Sequence, residues 1–284
     1  MRRRMQGYLR KMRATLDKPV QYELLLSDHA VPLNPFIGKP IKLVYTGKIS
    51  CVHCARSTKK SFNQGYCYPC FISLAQCDLC IMKPETCHYA VGTCREPAWG
   101  ETFCMQGHYV YLANSSGIKV GITRQNQIPT RWIDQGAVQA LPIFKAQSRH
   151  VSGLVEVAIA KHISDKTSWQ QMLKNNIEVV DLAAKRDELM ATCKTELANI
   201  TQSFGAQAIE SLPDEKAVDI HYPVNRYPDK VKSFNLDVNP EVSGILEGIK
   251  GQYLLLDRGV INLRKYSGYE IEFSTPDKAD ELLQ

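Results

Sequence analysis

The sequence contains no long apolar run, and acidic residues are missing from two extended stretches. Because no run of about eighteen apolar residues occurs, a conventional transmembrane helix is excluded. The first thirteen residues, MRRRMQGYLRKMR, carry basic charge but lack the apolar segment that a secretory signal needs. These absences predict a cytoplasmic protein that has no membrane partner.

Acidic residues are absent where basic residues are concentrated. Six Arg and Lys side chains precede the first acid, Asp17, and together they equal the whole formal net charge of +6. Residues 29–77 also contain six Lys or Arg side chains and no Asp or Glu. Basic stretches without acids attract phosphate groups. A solvated surface whose charge is balanced by acids of neighbouring segments is the alternative interpretation.

Cysteine is abundant and unevenly placed, since nine of the ten cysteines lie between Cys51 and Cys104. In a chain without an export signal, this density favours metal over disulfides. Three Cys-x-x-Cys pairs occur, a spacing that directs two thiolates at one ion, and zinc accepts four sulfurs tetrahedrally. The pairs CVHC and CYPC, separated by twelve residues, resemble a zinc ribbon or knuckle. They predict a structural zinc site with four ligands: Cys51, Cys54, Cys67 and Cys70.

The remaining cysteines of this region predict a second four-coordinate site whose membership the sequence leaves open. The predicted ligands are Cys77, Cys80, Cys87 and Cys94. An alternative set includes Cys104 and leaves Cys77 as a small buried apolar residue. His88 or His108 could also replace a thiolate. An iron–sulfur cluster is the competing metal, although paired two-residue gaps around a basic loop suit zinc better.

Two basic segments predict contact with nucleic acid. The loop between the halves of the first cysteine site contains Lys59 and Lys60. Residues 102–133 contain no acid, and there Arg124 and Trp132 combine a cation with an aromatic face, as in proteins that stack bases and bind phosphates. For Trp132, packing in the core is the alternative interpretation. The sequence does not distinguish DNA from RNA.

A β-hairpin followed by a helix is predicted immediately after the cysteine region. The segments YVYLA and IKVGIT have strand character and are joined by the turn-forming NSSG. In residues 152–163, SGLVEVAIAKHI, apolar side chains recur with helical spacing after a serine cap. The hairpin and helix therefore form the centre of the predicted core.

This segment resembles the GIY-YIG nuclease superfamily, whose core is a hairpin with two short motifs, an arginine on a helix and a glutamate on a later helix. The GHY triplet at 107–109 stands where GIY would be, and KVG at 119–121 stands where YIG would be. Arg131 matches the helix arginine, and Glu156 matches the metal-binding glutamate. The resemblance implies a phosphodiester-cleaving enzyme.

The same resemblance implies a role for each matched side chain. Glu156 would hold one Mg²⁺ or Mn²⁺, and Tyr109 would orient or deprotonate the attacking water. Arg131 would stabilise charge on the phosphate, and Lys119 could add positive charge beside it. Two residues depart from the family pattern: Lys119 stands in place of the second tyrosine, and Gln135 lies near a position where many members have histidine.

Over most of the chain, a second resemblance is visible. The order of its segments resembles that of an uncharacterised bacterial family, catalogued as domain of unknown function 2797. The segments are the cysteine region, followed by YVYLA, KVGIT, TRWIDQGA and GIKGQYLLLDRGVINLRKYSGYE. This resemblance implies an architecture and no particular activity.

The predicted fold class is α+β. Strand-like segments at both chain ends predict one small β-barrel, and residues 165–209 predict a short helix and a longer one. The predicted domains are a discontinuous barrel (1–50 with 241–284), a zinc-binding module (51–104), a GIY-YIG-like core (105–210) and a connector (211–240).

The leading functional hypothesis is a nucleic-acid-binding protein that cleaves phosphodiesters with one divalent cation. The first alternative is a non-catalytic nucleic-acid adaptor, and the second is a zinc-stabilised protein-interaction module. The oligomeric state is left open.

Overall fold

The computed structural model describes residues 4–163 and 168–275, and two antiparallel sheets organise this part of the chain. Thirteen strands occur within it: β1 (Arg4–Thr15), β2 (Gln21–Leu26), β3 (His29–Pro32), β4 (Pro40–Ile49), β5 (His108–Asn114), β6 (Ile118–Arg124), β7 (Gln139–Ala146), β8 (Ile209–Ser211), β9 (Val218–Asp219), β10 (Glu241–Lys250), β11 (Tyr253–Leu256), β12 (Gly259–Asn262) and β13 (Tyr269–Ser274). Together with the helices they confirm the predicted α+β class.

The larger sheet unites strands from both chain ends in the order β12-β11-β10-β4-β13-β1-β2-β3. Within the described residues it is open, with β12 and β3 at its edges, so the prediction of a closed barrel is wrong. The two edge strands form no ladder with each other in this part of the chain. Strands β1 and β10 change partners along their length. Residues 4–8 of β1 pair with β13 and residues 9–15 pair with β2, and the β1–β2 ladder contains a register shift between Arg10 and Arg13. Likewise, β10 pairs first with β4 and then with β11.

The smaller sheet has the order β6-β5-β7-β8, and β9 also pairs with β7. It confirms the predicted hairpin, since β5 and β6 pair throughout from His108 with Arg124 to Asn114 with Ile118. One face of β5 buries Val110 and Leu112 in a core that includes residues of the following helices. The opposite face turns Tyr111 into the core shared with the larger sheet.

Eight α-helices complete the described part of the chain: α1 (Tyr68–Ser73), α2 (Leu79–Met82), α3 (Pro97–Phe103), α4 (Thr130–Asp134), α5 (Arg149–Ala160), α6 (Trp169–Lys174), α7 (Leu182–Thr192) and α8 (Lys194–Phe204). None of them has both the length and the hydropathy that crossing a bilayer requires. α5 begins one turn earlier than predicted, because the Ser148 hydroxyl accepts a hydrogen bond from the Val151 amide.

The helical region after α5 differs from its prediction in one place. Instead of one long helix, α7 and α8 are separated at Cys193, whose backbone has φ −89° and ψ 10° and whose side chain is fully buried beneath them. This thiol packs in the apolar core, as expected for an ordinary cysteine. The short helix predicted from residue 165 is observed as α6, and the start of that prediction lies outside the described residues.

The predicted connector, residues 211–240, is part of the core. It contributes β9, and it buries Ile220, Tyr222 and Leu236 between the two sheets. The Tyr222 hydroxyl lies 2.8 Å from the carbonyl oxygen of Ala137, to which it donates a hydrogen bond. The prolines interrupt regular structure here, but the apolar side chains between them still fill the space between the sheets.

Helix α4, which carries Arg131, is anchored to the larger sheet by polar contacts. Asp134 at the end of α4 forms an ion pair with Lys11 of β1. Its other carboxylate oxygen accepts a hydrogen bond from Gln252 at 2.8 Å, and Gln252 also accepts one from the Met12 amide at 2.9 Å. These contacts fix the orientation of α4 relative to the sheet that supports it.

Candidate metal centres and nucleic-acid site

The first cysteine group is assembled as the spacing predicts. The sulfur atoms of Cys51, Cys54, Cys67 and Cys70 all lie within 4.8 Å of one another, and those of Cys54 and Cys67 are 3.7 Å apart. In a tetrahedral site with Zn–S bonds of about 2.3 Å, sulfur atoms are separated by about 3.8 Å. The four thiols are therefore placed to hold a metal ion such as zinc.

Local backbone structure directs these thiols together. Cys51 follows the end of β4. The chain then turns between Cys51 and Cys54, and the Ala55 amide closes this turn by donating a hydrogen bond to the Cys51 carbonyl at 3.0 Å. Gly65 has φ +130°, and a Cβ there would lie 2.4 Å from the Val52 side chain, so glycine is required for this approach. Cys67 immediately precedes α1, and its amide donates to the Cys51 sulfur at 3.2 Å.

The electrostatics of Cys51 favour a thiolate. Burial raises its pKa, but hydrogen bonds from the backbone amides of Cys54, Cys67 and His53, with one from the Cys54 side chain, outweigh that effect and lower the pKa to about 6. Because the thiolate is the form that binds zinc, this thiol is prepared for metal. The pKa of Cys70 is raised, chiefly by burial and then by hydrogen bonds among the neighbouring thiols.

The remaining cysteines of this region lie in two places. A small cavity is lined by four of them: Cys80, Cys87, Cys94 and Cys104. Cys77 does not line this cavity, and instead packs in the apolar cluster that contains Cys51 and Leu74. Cys104, just after α3, therefore shares a cavity with three of the predicted ligands, whereas Cys77 lies with the first group.

Arg131 of α4, one of the residues matched to the nuclease motif, belongs to a small hydrogen-bonded group. In the amide orientation that satisfies both neighbours, the Gln135 oxygen accepts hydrogen bonds from Nε (3.3 Å) and Nη2 (3.2 Å) of Arg131. The Gln135 nitrogen donates to the Tyr111 hydroxyl at 3.0 Å. Gln135 thus joins a buried tyrosine of the hairpin to the guanidinium group of α4.

Glu156 of α5 lies near this group and beside a groove. Burial raises the pKa of Glu156 to about 7, the charges of Arg149 and Arg131 oppose that shift, and Glu85 adds to it. Glu156, Lys119 and Glu85 line a groove of about 300 Å³, which we name the Glu156 groove. A partly buried carboxylate with an elevated pKa is a common feature of functional sites.

The structure links Tyr111, rather than the predicted Tyr109, to Arg131. Both tyrosines project from the same face of β5, since they are two residues apart. Tyr111 is fully buried opposite Gly121, where a Cβ would lie 2.7 Å from its hydroxyl oxygen. Tyr109 is half-buried and pairs with Thr123. The alternation of side chains along β5 makes either tyrosine a candidate partner of Arg131, and the packing of α4 shows that the partner is Tyr111.

The predicted nucleic-acid contacts differ in exposure. Lys59 and Lys60 are exposed, and the Lys60 ammonium group lies 5.2 Å from the ring centroid of Phe62. Phe62 in turn packs against Tyr68, with ring centroids 5.4 Å apart, and Tyr68 is 55% exposed. This set, Lys59, Lys60, Phe62 and Tyr68, is named the module surface. Tyr68 carries no charge at neutral pH, so the charge pattern of the sequence did not reveal it.

The other two predicted contacts are less accessible. Arg124 is half-buried, with its guanidinium carbon 4.8 Å from the ring centroid of Phe103. Trp132 is only 2% exposed and packs edge-on against Tyr111, with ring centroids 6.0 Å apart. The prediction that Trp132 stacks on a base is therefore wrong, because α4 turns this residue toward the core instead of the surface.

His108, at the start of β5, is fully buried, and its Nδ1 lies 2.8 Å from the Gln106 carbonyl oxygen. Its Nε2 has no hydrogen-bond partner among the described residues. Burial lowers the pKa of His108 to about 4, the Gln106 hydrogen bond opposes this shift, and the charges of Arg149 and Arg124 reinforce it. The folded protein therefore holds this imidazole neutral.

This lowered pKa predicts a loss of stability in acid. Below about pH 6.5 the unfolded chain protonates His108 while the folded protein does not, so the free energy of unfolding falls until the pH reaches the folded-state pKa. Between pH 7 and pH 5 we expect His108 to account for a loss of about 2 kcal/mol. Urea unfolding at both pH values, compared with His108→Gln, measures this difference. Equal pH dependence in the two proteins would contradict the assignment.

Fold and sites together define an α+β protein in which a cysteine-rich module able to hold metal packs beside a hairpin-and-helix core. A family model described as "Protein of unknown function (DUF2797)" matches residues 38–271. The chain belongs to this family. No curated protein and no solved structure matches the chain.

Proposed function

We propose that this protein binds nucleic acid and cleaves phosphodiester bonds with the help of one divalent cation at Glu156. One observation carries the proposal: Glu156 of α5 lines the Glu156 groove and lies within electrostatic reach of Arg131 of α4, whose charge opposes the burial-driven rise in the pKa of the acid. The order of hairpin, arginine helix and glutamate helix also resembles the GIY-YIG nucleases.

The chemistry of the residues supports this proposal. A carboxylate at the edge of a groove suits Mg²⁺ or Mn²⁺, and such a cation, when bound, would stabilise charge on phosphate oxygens. Arg131 offers a planar fork of donors to the same phosphate, and the Gln135–Tyr111 contacts hold that fork in place. Lys119 lines the groove and adds positive charge. Tyr109, half-buried on β5, would orient the attacking water.

The module surface is the proposed binding site for the rest of the nucleic acid. It combines two exposed lysines with an exposed tyrosine ring, and residues 29–77 around it contain no acid. Lysines neutralise phosphates and an exposed aromatic ring can stack on a base. The cleavage experiment described below compares DNA with RNA as substrates.

A non-catalytic adaptor is the second candidate, and specific residues favour it. Lys119 replaces the second motif tyrosine, and Gln135 cannot accept or deliver a proton as histidine can. Incubating labelled single- and double-stranded DNA and RNA with Mg²⁺ or Mn²⁺ separates the two candidates. Metal-dependent cleavage supports the nuclease, binding without cleavage supports the adaptor, and the absence of both contradicts the two nucleic-acid functions.

Binding at the module surface predicts a specific salt dependence. Replacing both lysines, in Lys59→Gln/Lys60→Gln, should reduce the slope of log K against log salt concentration by about 2, since each phosphate contact contributes roughly one counterion. Fluorescence anisotropy at several salt concentrations measures the slope. The matched control is Lys230→Gln/Lys232→Gln, which removes two equally exposed charges from another segment. An equal loss of slope in the control would show that only net charge matters.

A further inference from the structure

The cavity that Cys80, Cys87, Cys94 and Cys104 line is small enough to suit a single ion. Its volume is about 20 Å³, little more than the space that one water molecule needs. The four cysteines come from α2, the two loops that follow, and the residue just after α3. All four are free thiols on the lining of this cavity, and none of them is paired in a disulfide.

The four thiols line one cavity at different depths. Cys104 is buried, while Cys80, Cys87 and Cys94 are partly exposed. Cysteine sulfur is the ligand that structural zinc sites use most often, and four such ligands complete a tetrahedral site. The cavity therefore offers zinc a complete set of ligands.

A mixed site is the competing arrangement, because ligand atoms of Asp78, Cys80 and His88 lie within 4.8 Å of one another, which the four sulfur atoms around the cavity do not all do. The Asp78 carboxylate already has partners, since Arg95 Nε lies 2.8 Å away and His88 Nε2 lies 3.4 Å away. The other ring nitrogen of His88 is 2.8 Å from the Thr93 hydroxyl. These contacts explain Asp78 and His88 as residues that hold the loop around the thiols.

We propose that Cys80, Cys87, Cys94 and Cys104 hold a second, structural Zn²⁺. Four soft sulfur ligands favour zinc over the hard cations Mg²⁺ and Ca²⁺. Cys77, which the spacing of the sequence places with Cys80, belongs to the apolar cluster of the first group. This inference goes beyond the proposed function and does not depend on it.

The second centre also explains how the module attaches to α5. The Arg149 amide donates to the Cys104 carbonyl at 2.8 Å, and its guanidinium group donates to the Ile81 carbonyl at 2.6 Å. At Gly153, a Cβ would lie 2.5 Å from Pro84, so the module packs directly on the helix backbone. Zinc at the second centre would hold both contact points in one rigid unit beside the helix that carries Glu156.

Zinc content of the purified full-length protein tests the second centre. Elemental analysis should find about two zinc ions per chain in the wild type and about one in Cys104→Ser. Two matched thiol controls, Cys77→Ser and Cys193→Ser, should each retain about two. His88→Ala should also retain both ions. Loss of an ion in Cys77→Ser or His88→Ala but not in Cys104→Ser would overturn the proposal, as would a wild type that binds only one.

A spectroscopic measurement on the wild type avoids any dependence on the folding of variants. Zinc X-ray absorption of the two-zinc protein should show four sulfur neighbours per ion at about 2.3 Å and no nitrogen or oxygen neighbour at about 2.0–2.2 Å. A nitrogen or oxygen shell would assign His88 or Asp78 to the second centre and overturn the four-thiolate assignment. Neither measurement requires cleavage or binding of nucleic acid.

Discussion

A Cys67→Ser variant is expected to lose about one zinc ion per chain and to unfold the segment around the first cysteine group. Serine cannot supply the thiolate that a closed four-sulfur site needs. Structural zinc contributes roughly 10–16 kcal/mol in small zinc modules. Apart from Leu74, the buried hydrophobic cluster of this segment consists of cysteines, so little apolar packing remains to hold the chain once the ion is lost.

Hydrogen exchange and zinc analysis together measure this effect. Amides of residues 50–76 should exchange much faster in Cys67→Ser than in the wild type, while amides of the larger sheet stay protected. The control is Cys193→Ser, which changes the one cysteine located in the core under α7 and α8. Unchanged zinc content together with unchanged protection in Cys67→Ser would show that this group is not a metal centre.

The first cysteine group could be predicted from the sequence because each Cys-x-x-Cys pair is a local turn. Two such pairs beside a short hairpin-like loop can meet without help from distant residues. For the second group the sequence left two alternative sets open, since Cys87, Cys94 and Cys104 are spaced irregularly. The position of Cys104 depends on the path of the chain through α3, and the two members of the pair Cys77 and Cys80 lie in different places.

The hairpin was predictable from the alternation of apolar and polar residues and from a turn sequence. The side-chain contacts that the hairpin makes with α4 were not predictable. Strand period places Tyr109 and Tyr111 on one face but leaves open which of them contacts α4. The answer depends on the register that sets Tyr111 opposite Gly121, and on the anchoring of α4 through Asp134. Gln135 was noticed as a departure from a family pattern, but its link between Tyr111 and Arg131 needed three-dimensional packing.

The strands of both chain ends were also predictable, but their closure was not. Hydrophobic pattern identifies a strand and its buried face without naming its partners. In the described part of the chain the edge strands β12 and β3 do not pair with each other, so the eight-stranded sheet stays open. Residues 211–240 read as a connector because prolines interrupt them, yet Tyr222 and Leu236 pack in the core.

Replacement of Glu156 should separate catalysis from binding. In Glu156→Gln, the side chain keeps its size but loses the anionic oxygens that a hard cation prefers. We expect the rate of metal-dependent cleavage to fall at least about 10²-fold, as when a principal source of transition-state charge stabilisation is removed. Binding should stay equal or strengthen slightly, because removing a negative charge beside the groove reduces repulsion of phosphate.

Glu210→Gln is the matched control, because it makes the same change of charge at a different position. Glu210 is exposed on β8, and in the order of the smaller sheet β8 lies at the opposite end from β6. Glu210→Gln should therefore leave both cleavage and binding unchanged. A loss of cleavage in the control equal to that in Glu156→Gln would point to net charge or stability instead of a metal ligand.

The most direct test of the account is single-turnover cleavage of labelled DNA and RNA in Mg²⁺ or Mn²⁺ by the wild type, Glu156→Gln and Glu210→Gln, with binding recorded in parallel by anisotropy. The account predicts metal-dependent cleavage by the wild type and by Glu210→Gln, and bound but uncleaved substrate with Glu156→Gln. Cleavage that survives in Glu156→Gln, or a wild type that binds every substrate and cleaves none, would contradict it.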